Sequence, residues 1–532
     1  MRRWNGWGEE EITLPLKQEA LDFLAAQIGK GCAPQDATLA ATCAKVPASR
    51  LPAHPLVSTD AEARLRASIG QSCNDWLRLR HGEPERVSDG VAYPETSAQV
   101  RELLDWAQSI NAIVLPYGGG TSVVGHLTPP AGERPTLVLH MSRMNRLLHL
   151  DRESQLATFG AGVVGPDLEA QLRAHGYTLG HFPQSFEYST LGGWVVTRSS
   201  GQQSLRYGRI EQMFAGGRLE SPTGTLVIPT FPASAAGPSL ADMVLGSEGR
   251  IGVLTEVTVR VTPLPEYERF HAVFFPDWES GRAAVQALAQ AKLPLSMLRL
   301  SNPNETLTTL TLAGGGTALR WLERYLSWRG IGEGKCLMLM GVTGTKAMAT
   351  KTRREALAIC GQHGGVHGGT HIGEKWKTNR FRGVYLRNTL WENGYIVDTM
   401  ETAADWPKVT KLMQSMEHAG RKALVDLGEK VHVYTHLSHV YAQGSSVYTT
   451  FAFRADPDFG TNFARWQALK QAVCEAIVYG GGTISHQHGV GKDHAPYLAA
   501  EKSERGMTAL QGMVNEFDPK GVMASGNLLP DA

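Results

Sequence analysis

Hydrophobic and polar positions along the chain alternate with two different periods, and the changes of period divide it into four segments. Residues 1–85 read as mostly helical and end in a charged, turn-rich stretch, WLRLRHGEPERVSDG. From 86 to 265, short β-branched runs at 136–140 and 254–261 alternate with glycine turns around one helical pattern at 97–111, which marks an α+β unit. Pro263 and Pro265 close that unit. Between 266 and 478 the expected order is strand 271–275, helix 278–292, strand 335–343, helices 346–363 and 405–420, strand 447–453 and helix 458–479, a second α+β unit. Residues 479–532 turn glycine- and histidine-rich again and are expected to return to the first unit. There is no internal repeat.

Composition sharpens this picture in three ways. The chain of 532 residues holds 58 glycines, about twenty more than average usage supplies. Its 52 basic and 51 acidic side chains nearly cancel, which excludes the basic footprint of a nucleic-acid binder. The six cysteines form no C-x-x-C pair, so neither a zinc site nor a disulfide framework is expected. The first residues lack the apolar core of a signal peptide, no run approaches a membrane span, and the final PDA is not a peroxisomal tripeptide. A cytoplasmic protein is expected.

The surplus glycines sit in loops. Pro116, Tyr117, Gly118, Gly119, Gly120, Thr121 and Ser122 follow the apolar run AIVL. Three consecutive glycines after a strand let backbone N–H groups turn toward an anion with no Cβ in the way, and two hydroxyls add donors. The spacing is neither G-x-G-x-x-G nor Walker A, and taken alone the loop reads first as a tight turn. Further loops change that reading. Gln184, Ser185, Phe186, Glu187, Tyr188, Ser189 and Thr190 lead through Gly192-Gly193-Trp194 to Thr197, Arg198, Ser199 and Ser200. Ser247, Glu248, Gly249, Arg250, Ile251, Gly252, Val253 and Leu254 follow Gly246. Such a series is expected to close on one elongated ligand.

This ordered set resembles the FAD-binding domain of the vanillyl-alcohol-oxidase (PCMH-type) flavoprotein superfamily, over roughly 90–265 and the tail. The resemblance implies FAD as cofactor, with its pyrophosphate in the Gly118–Gly120 loop and the later loops around the flavin. It also implies a cap domain over residues 266–478. Motifs along nearly the whole chain are similar to the alkyldihydroxyacetonephosphate synthase family: Trp4-Asn5-Gly6-Trp7-Gly8, Gly180-His181-Phe182-Pro183, GSEGRIGVLTE, Leu298-Arg299-Leu300, Tyr385-Leu386-Arg387, Met400-Glu401-Thr402, the run 446–453, SHQHGVGK and Gly526-Asn527-Leu528-Leu529. Residues 303–345 match least.

That resemblance implies exchange of the acyl group of acyl-dihydroxyacetone phosphate for a fatty alcohol, with flavin N5 as a covalent trap and no net oxidation. It assigns Tyr448 as the proton carrier at C1. A tyrosine serves as a base only when nearby positive charge pulls its pKa well below about 10, and His486 and His488 are expected to supply that charge. His488 matches the last histidine of the family's triple-histidine motif. Arg387 matches the substrate-binding arginine and suits a bidentate grip on phosphate. Arg299 matches a second arginine, expected to face the flavin or the leaving group. Gln487 stands where the family carries its middle histidine; it can hydrogen-bond but cannot become cationic. The plain alternatives are a strand aromatic for Tyr448 and interdomain ion pairs for the arginines.

The rival reading is an FAD-linked 2-hydroxyacid dehydrogenase of the same superfamily. Its metal run would align with residues 439–448, but only His439 survives, Tyr448 replaces the second histidine, and Gln487 replaces a glutamate. No metal is expected; His432, His436 and His439 lie in a β-branched run that reads as a strand. A non-catalytic flavin or lipid binder is a third reading, resting on Gln487 alone. His126 is a candidate flavin tether but reads first as a surface-loop histidine. Trp321, Tyr325 and Trp328 are expected on one side of an amphipathic helix, as core packing or as peripheral membrane contact. The expected assembly is a homodimer.

Overall fold

The computed structural model of the chain describes residues 1–313, 317–523 and 526–529; the terminal PDA lies outside them. The elements expected from sequence form close to the expected places. Helix Ser97–Ser109 buries Val100, Leu103, Leu104 and Ala107 along one stripe, and the Thr96 hydroxyl caps it by accepting from the Gln99 N–H. Asp277, Thr345 and Asp458 cap helices Trp278–Gln290, Lys346–Gln362 and Phe459–Tyr479 in the same way. Helix 405–420 extends to Val425, and the strand expected at 271–275 begins at Tyr267.

Two main sheets build the first unit, beside a short antiparallel pair of Tyr177–Thr178 with Thr262–Pro263. A four-stranded sheet runs Val57–Ser58, Gly90–Ala92, Thr136–His140, Ile113–Tyr117, with parallel pairing among the last three. A five-stranded antiparallel sheet runs Leu147–Asp151, Leu156–Gly160, Val253–Arg260, Phe214–Ser221, Gly224–Ile228. The expected glycine loops leave these strands: the Gly118–Gly120 turn follows Ile113–Tyr117, and the Ser247–Gly252 turn precedes Val253–Arg260.

The second unit is one antiparallel sheet of seven strands in the order Val366–His367, Tyr267–Phe275, Cys336–Gly344, Leu295–Ser301, Val431–Leu437, Gly444–Arg454, Tyr395–Asp405. Its interior strands are largely buried; all nine residues of Cys336–Gly344 are buried. Helices Trp278–Gln290, Trp406–Val425 and Phe459–Tyr479 add Val285, Leu412, Met416, Leu469 and Val473 to the same core. The tail does return: Met523 bridges to Val114 of the first unit in parallel. Among the described residues no helix is long and apolar enough to cross a membrane. The fold is thus a two-sheet α+β unit followed by a second α+β unit on one seven-stranded sheet, as the sequence pattern leads one to expect.

Candidate active site

A cleft of about 190 Å³ lies where the glycine loops meet. Pro116 through Ser122 line it, with Ser185, Ser189, Thr190, Thr197, Ser199, Glu248, Gly249, Gly252, Val253 and Leu254. The glycines are there because loops meet backbone to backbone: a Cβ on Gly119 would stand 1.8 Å from the Tyr188 carbonyl oxygen. The other residues of those loops lie beside the cleft. Phe186 stacks on Phe381 at 4.7 Å, Tyr188 bonds Tyr385 through their hydroxyls at 3.1 Å, and Arg198 donates to the Leu245 carbonyl. Ser200 meets the His439 ring at 3.1 Å, Ile251 is fully buried, Arg250 and Ser247 are buried, and Gln184 and Glu187 are absent from the cleft wall.

The C-terminal segment closes the cleft with Gln487, His488 and Asn527, and two buried carboxylates hold it there. Glu401 accepts the backbone N–H groups of His486, Gln487 and His488 at 3.0, 3.0 and 3.2 Å, and the Ser485 hydroxyl at 3.1 Å. Glu248 accepts the N–H groups of Val490 and Gly491. It also lies 2.9 Å from His126 Nε2. His126 is therefore no surface-loop histidine: it is 8% exposed, meets the Ser122 hydroxyl at 2.6 Å and lines the cleft. Its burial comes from the tail folding back over it, which local sequence does not reveal. Gln487 Oε1 and Asn527 Oδ1 are buried in the cleft with no hydrogen-bond partner. Two orphaned acceptors and a glycine-rich anion loop in one cleft fit FAD, which carries an N–H on its ring and a diphosphate on its tail.

The second unit brings the candidate side chains Arg299, Tyr448 and Glu401 into one row across four strands with His436. Register pairs Glu401 with Tyr448, Tyr448 with His436, and His436 with Ser301; directly opposed residues share a face, and Arg299, two before Ser301, shares it too. Tyr448 stacks on His436 at 4.9 Å and meets His488 edge-on at 5.7 Å. Its hydroxyl donates to Thr399 Oγ1 at 3.0 Å. Arg299 donates to Glu305 Oε1 at 2.6 Å, and His436 Nδ1 lies 3.0 Å from Glu305 Oε2. Arg299 is thus paired, as the plain reading allowed, but paired one ring away from Tyr448.

The charges differ from expectation. Burial pushes the Tyr448 phenol up to about 12, against the opposing pull of Thr399. The two histidines expected to depress it are themselves driven toward neutrality. Burial lowers His486 well below the ordinary imidazole value, with His439 and Arg209 adding to it, and burial lowers His488 against the pull of Glu401. Arg209 was not singled out from sequence; it lies 2.7 Å from His486 Nε2, which Tyr441 also meets at 2.6 Å. Burial pushes the Glu305 carboxyl up, but His436 and Arg299 outweigh it and hold the group at about 2. Tyr448 is consequently a protonated phenol, a donor at rest.

Arg387 stands apart from the row on helix Leu386–Glu392. It donates through Nη1 to the Gln71 carbonyl at 2.7 Å and lies over Trp76 at 4.8 Å, while Nε and Nη2 are buried without partners. His439 bonds Ser200 and Ser204, and His432 bonds Thr308, so the three alternating histidines face three different partners. Helix Thr317–Trp328 turns Leu326 inward and leaves Trp321, Tyr325 and Trp328 64%, 38% and 79% exposed.

Comparison with known proteins agrees with this geometry. Residues 88–228 match the family described as "FAD binding domain", and residues 264–528 match "FAD linked oxidases, C-terminal domain". The alkyldihydroxyacetonephosphate synthase of Dictyostelium discoideum is 30% identical over 478 residues, covering 88% of this chain and 78% of that protein. A solved alkyldihydroxyacetonephosphate synthase superposes with a TM-score of 0.84 at 25% identity, covering all of this chain and 99% of the other. p-Cresol methylhydroxylase superposes at 0.70 with 13% identity over 98% and 99% of the two chains, a likeness of fold alone.

Proposed function

The chain belongs to the alkyldihydroxyacetonephosphate synthase family, and from that premise we propose that it exchanges the acyl group of an acyl-dihydroxyacetone phosphate for a fatty alcohol, with FAD in the cleft. The carrying observation is the row Arg299–His436–Tyr448–Glu401 meeting His488 at the cleft wall. FAD bound there supplies a nucleophilic ring nitrogen, without net electron transfer. The Gly118–Ser122 loop would hold its diphosphate, and Gln487 and Asn527 offer unpartnered acceptors in the same cleft.

The protein's own groups then divide the remaining work. Tyr448 holds a proton at Oη beside the cleft and would donate it to a substrate atom that gains negative charge, the phenolate then taking it back. Arg299, already anchored on Glu305, sets the cationic background for a departing carboxylate. Arg387 offers its unpartnered Nε and Nη2 edge to the substrate phosphate. Glu401 keeps His486, Gln487 and His488 in register with Tyr448. Exposed Trp321, Tyr325 and Trp328, with Arg324 and Arg329 stacked beside them, form a contact for a bilayer interface from which long-chain substrates enter.

Incubating the FAD-loaded protein with an acyl-dihydroxyacetone phosphate and a labelled fatty alcohol, without oxygen or other electron acceptor, tests the reading. Labelled ether product supports it. Bleaching of the flavin by D-lactate with no ether product refutes it in favour of the dehydrogenase.

A further inference from the structure

Three polar side chains in the cleft wall form a chain that ends on the C-terminal segment. Ser122, His126 and Glu248 all line the cleft. Ser122 Oγ lies 2.6 Å from His126 Nδ1, and His126 Nε2 lies 2.9 Å from Glu248 Oε2. The second contact is within ion-pair reach but off the line that a hydrogen bond needs, so it gains most when the ring is charged. Glu248 is 7% exposed and also accepts the N–H groups of Val490 and Gly491. Asn527 Nδ2 donates to the His126 carbonyl at 2.9 Å. One imidazole thereby joins the glycine loop to the tail.

The hydrogens of this chain cannot serve every acceptor at once. Ser122 Oγ accepts from the N–H groups of Val124 and His126 at 3.4 Å each, and it owns a single hydrogen. When the ring is neutral with its proton on Nε2, beside the carboxylate, that hydrogen goes to Nδ1. A diphosphate in the Gly118–Ser122 loop calls for the same hydrogen. Once the hydroxyl turns to the anion, Nδ1 faces Oγ at 2.6 Å lone pair against lone pair, which is costly in a buried site. A second proton on the ring removes that conflict, because Nδ1–H then donates to Oγ. The imidazolium would lie between the Glu248 carboxylate and a hydroxyl bonded to an anion, surroundings that favour positive charge.

We propose that His126 takes up one proton from solvent when FAD binds, releasing the Ser122 hydroxyl to the diphosphate and forming an ion pair with Glu248. His126 is then a positioning residue, acting through Ser122, that makes cofactor affinity depend on pH. The Ser122 O–H bond stays intact, and the added proton sits on Nδ1. The other titratable groups around the ring do not compete at about pH 8. Burial lowers His488 and holds His494 well below the ordinary imidazole value, and Asp493, pushed up to about 6, is already ionised. Lys492 turns its ammonium onto the Thr128 carbonyl. The coupling belongs to the cofactor site alone and holds whichever reaction the loaded protein runs, so it goes beyond the alkyl-transfer reading.

Dilution of the FAD-loaded protein gives Kd from the fluorescence of released flavin at about pH 7.5 and 8.5. Reloading the full-length protein with FAD in a calorimeter, in two buffers of different ionisation enthalpy, counts the protons taken up. The wild type is expected to gain about one proton per FAD, and its Kd to rise about tenfold between the two pH values. His126→Gln keeps hydrogen-bonding groups at the position but cannot become cationic; it is expected to gain none, with a Kd that stays flat. Ser122→Ala removes the shared hydroxyl and should gain less than about half a proton, which decides the matter where His126→Gln does not retain FAD. No uptake by the wild type overturns the proposal. So does wild-type uptake in His126→Gln, or in Ser122→Ala where that variant decides.

Discussion

Replacing Glu401 with glutamine isolates the clamp that holds the catalytic tail. Glu401 is 2% exposed, and its Oε1 accepts from the Ser485 hydroxyl and from the backbone N–H groups of His486, Gln487 and His488 at 3.0–3.2 Å, while Oε2 also accepts from His486 at 3.1 Å. Glu401→Gln is the same size, so no cavity forms. With the amide oxygen at the Oε1 position, four bonds pass from a charged to a neutral acceptor, each weakening by about 1 kcal/mol. The new NH2 then faces the His486 N–H, donor against donor. Four bonds sharing one atom do not add fully, so a loss of about 3 kcal/mol is expected.

That loss is local, because the clamp fixes a loop rather than a core. A local opening free energy lower by about 3 kcal/mol raises exchange from the open state roughly 150-fold, at tenfold per 1.4 kcal/mol. Hydrogen exchange of the amides of residues 486–488 in FAD-loaded protein measures this directly, with the amides of strand Cys336–Gly344 as an internal control. Ether synthesis should fall in parallel, since His488 and Tyr448 lose their fixed separation. Protection at 486–488 within about threefold of wild type would refute the clamp.

Other perturbations probe the row, the buried acid and the exposed helix. Tyr448→Phe keeps the stack on His436 and loses one hydrogen bond to Thr399, about 1 kcal/mol; FAD content should hold while turnover falls at least about 100-fold, and full activity would overturn the proton-carrier role. Asp493 is pushed by burial from 3.8 to about 6, against Lys470. Its folded pKa is raised, so its stabilising contribution is complete below pH 3.8 and is lost as pH rises through 6, a penalty of at most about 3 kcal/mol at pH 8. Asp493→Asn should therefore raise the thermal midpoint at pH 8 and leave it unchanged at pH 4; equal shifts at both pH values would contradict this. Trp321→Ala combined with Trp328→Ala should reduce sedimentation with anionic liposomes without changing FAD content, and unchanged binding would remove the bilayer contact.

Much of the fold was legible because its elements are local. The stripe of helix Ser97–Ser109 and the β-branched run of Thr136–His140 need no partner to be recognised. The cofactor loops were legible because glycine marks close backbone approach, as Gly119 against Tyr188 illustrates. The row of candidate side chains was not legible as a row. Arg299, His436, Tyr448 and Glu401 come from four strands, and only strand pairing puts them side by side. Their charges were harder still. His486 and His488 look cationic beside a tyrosine until burial and Arg209 are counted, and those are properties of the assembled core.

Gln487 gains a physical meaning from the same clamp. Its backbone N–H is spent on Glu401 and its side chain ends in the cofactor cleft with Oε1 unpartnered, so the position has a scaffold role that any residue fills and a cleft role that depends on the side chain. On either side, His486 and His488 are driven neutral by burial. A third imidazole between them would meet the same desolvation and present a neutral donor and acceptor, which a glutamine amide also presents. What glutamine cannot do is take up a proton, and in this protein burial holds a proton on the Tyr448 phenol, whose pKa is pushed up to about 12. On the proposed alkyl-transfer reading, the substitution therefore falls on hydrogen bonding in the cleft, and the proton chemistry stays with Tyr448.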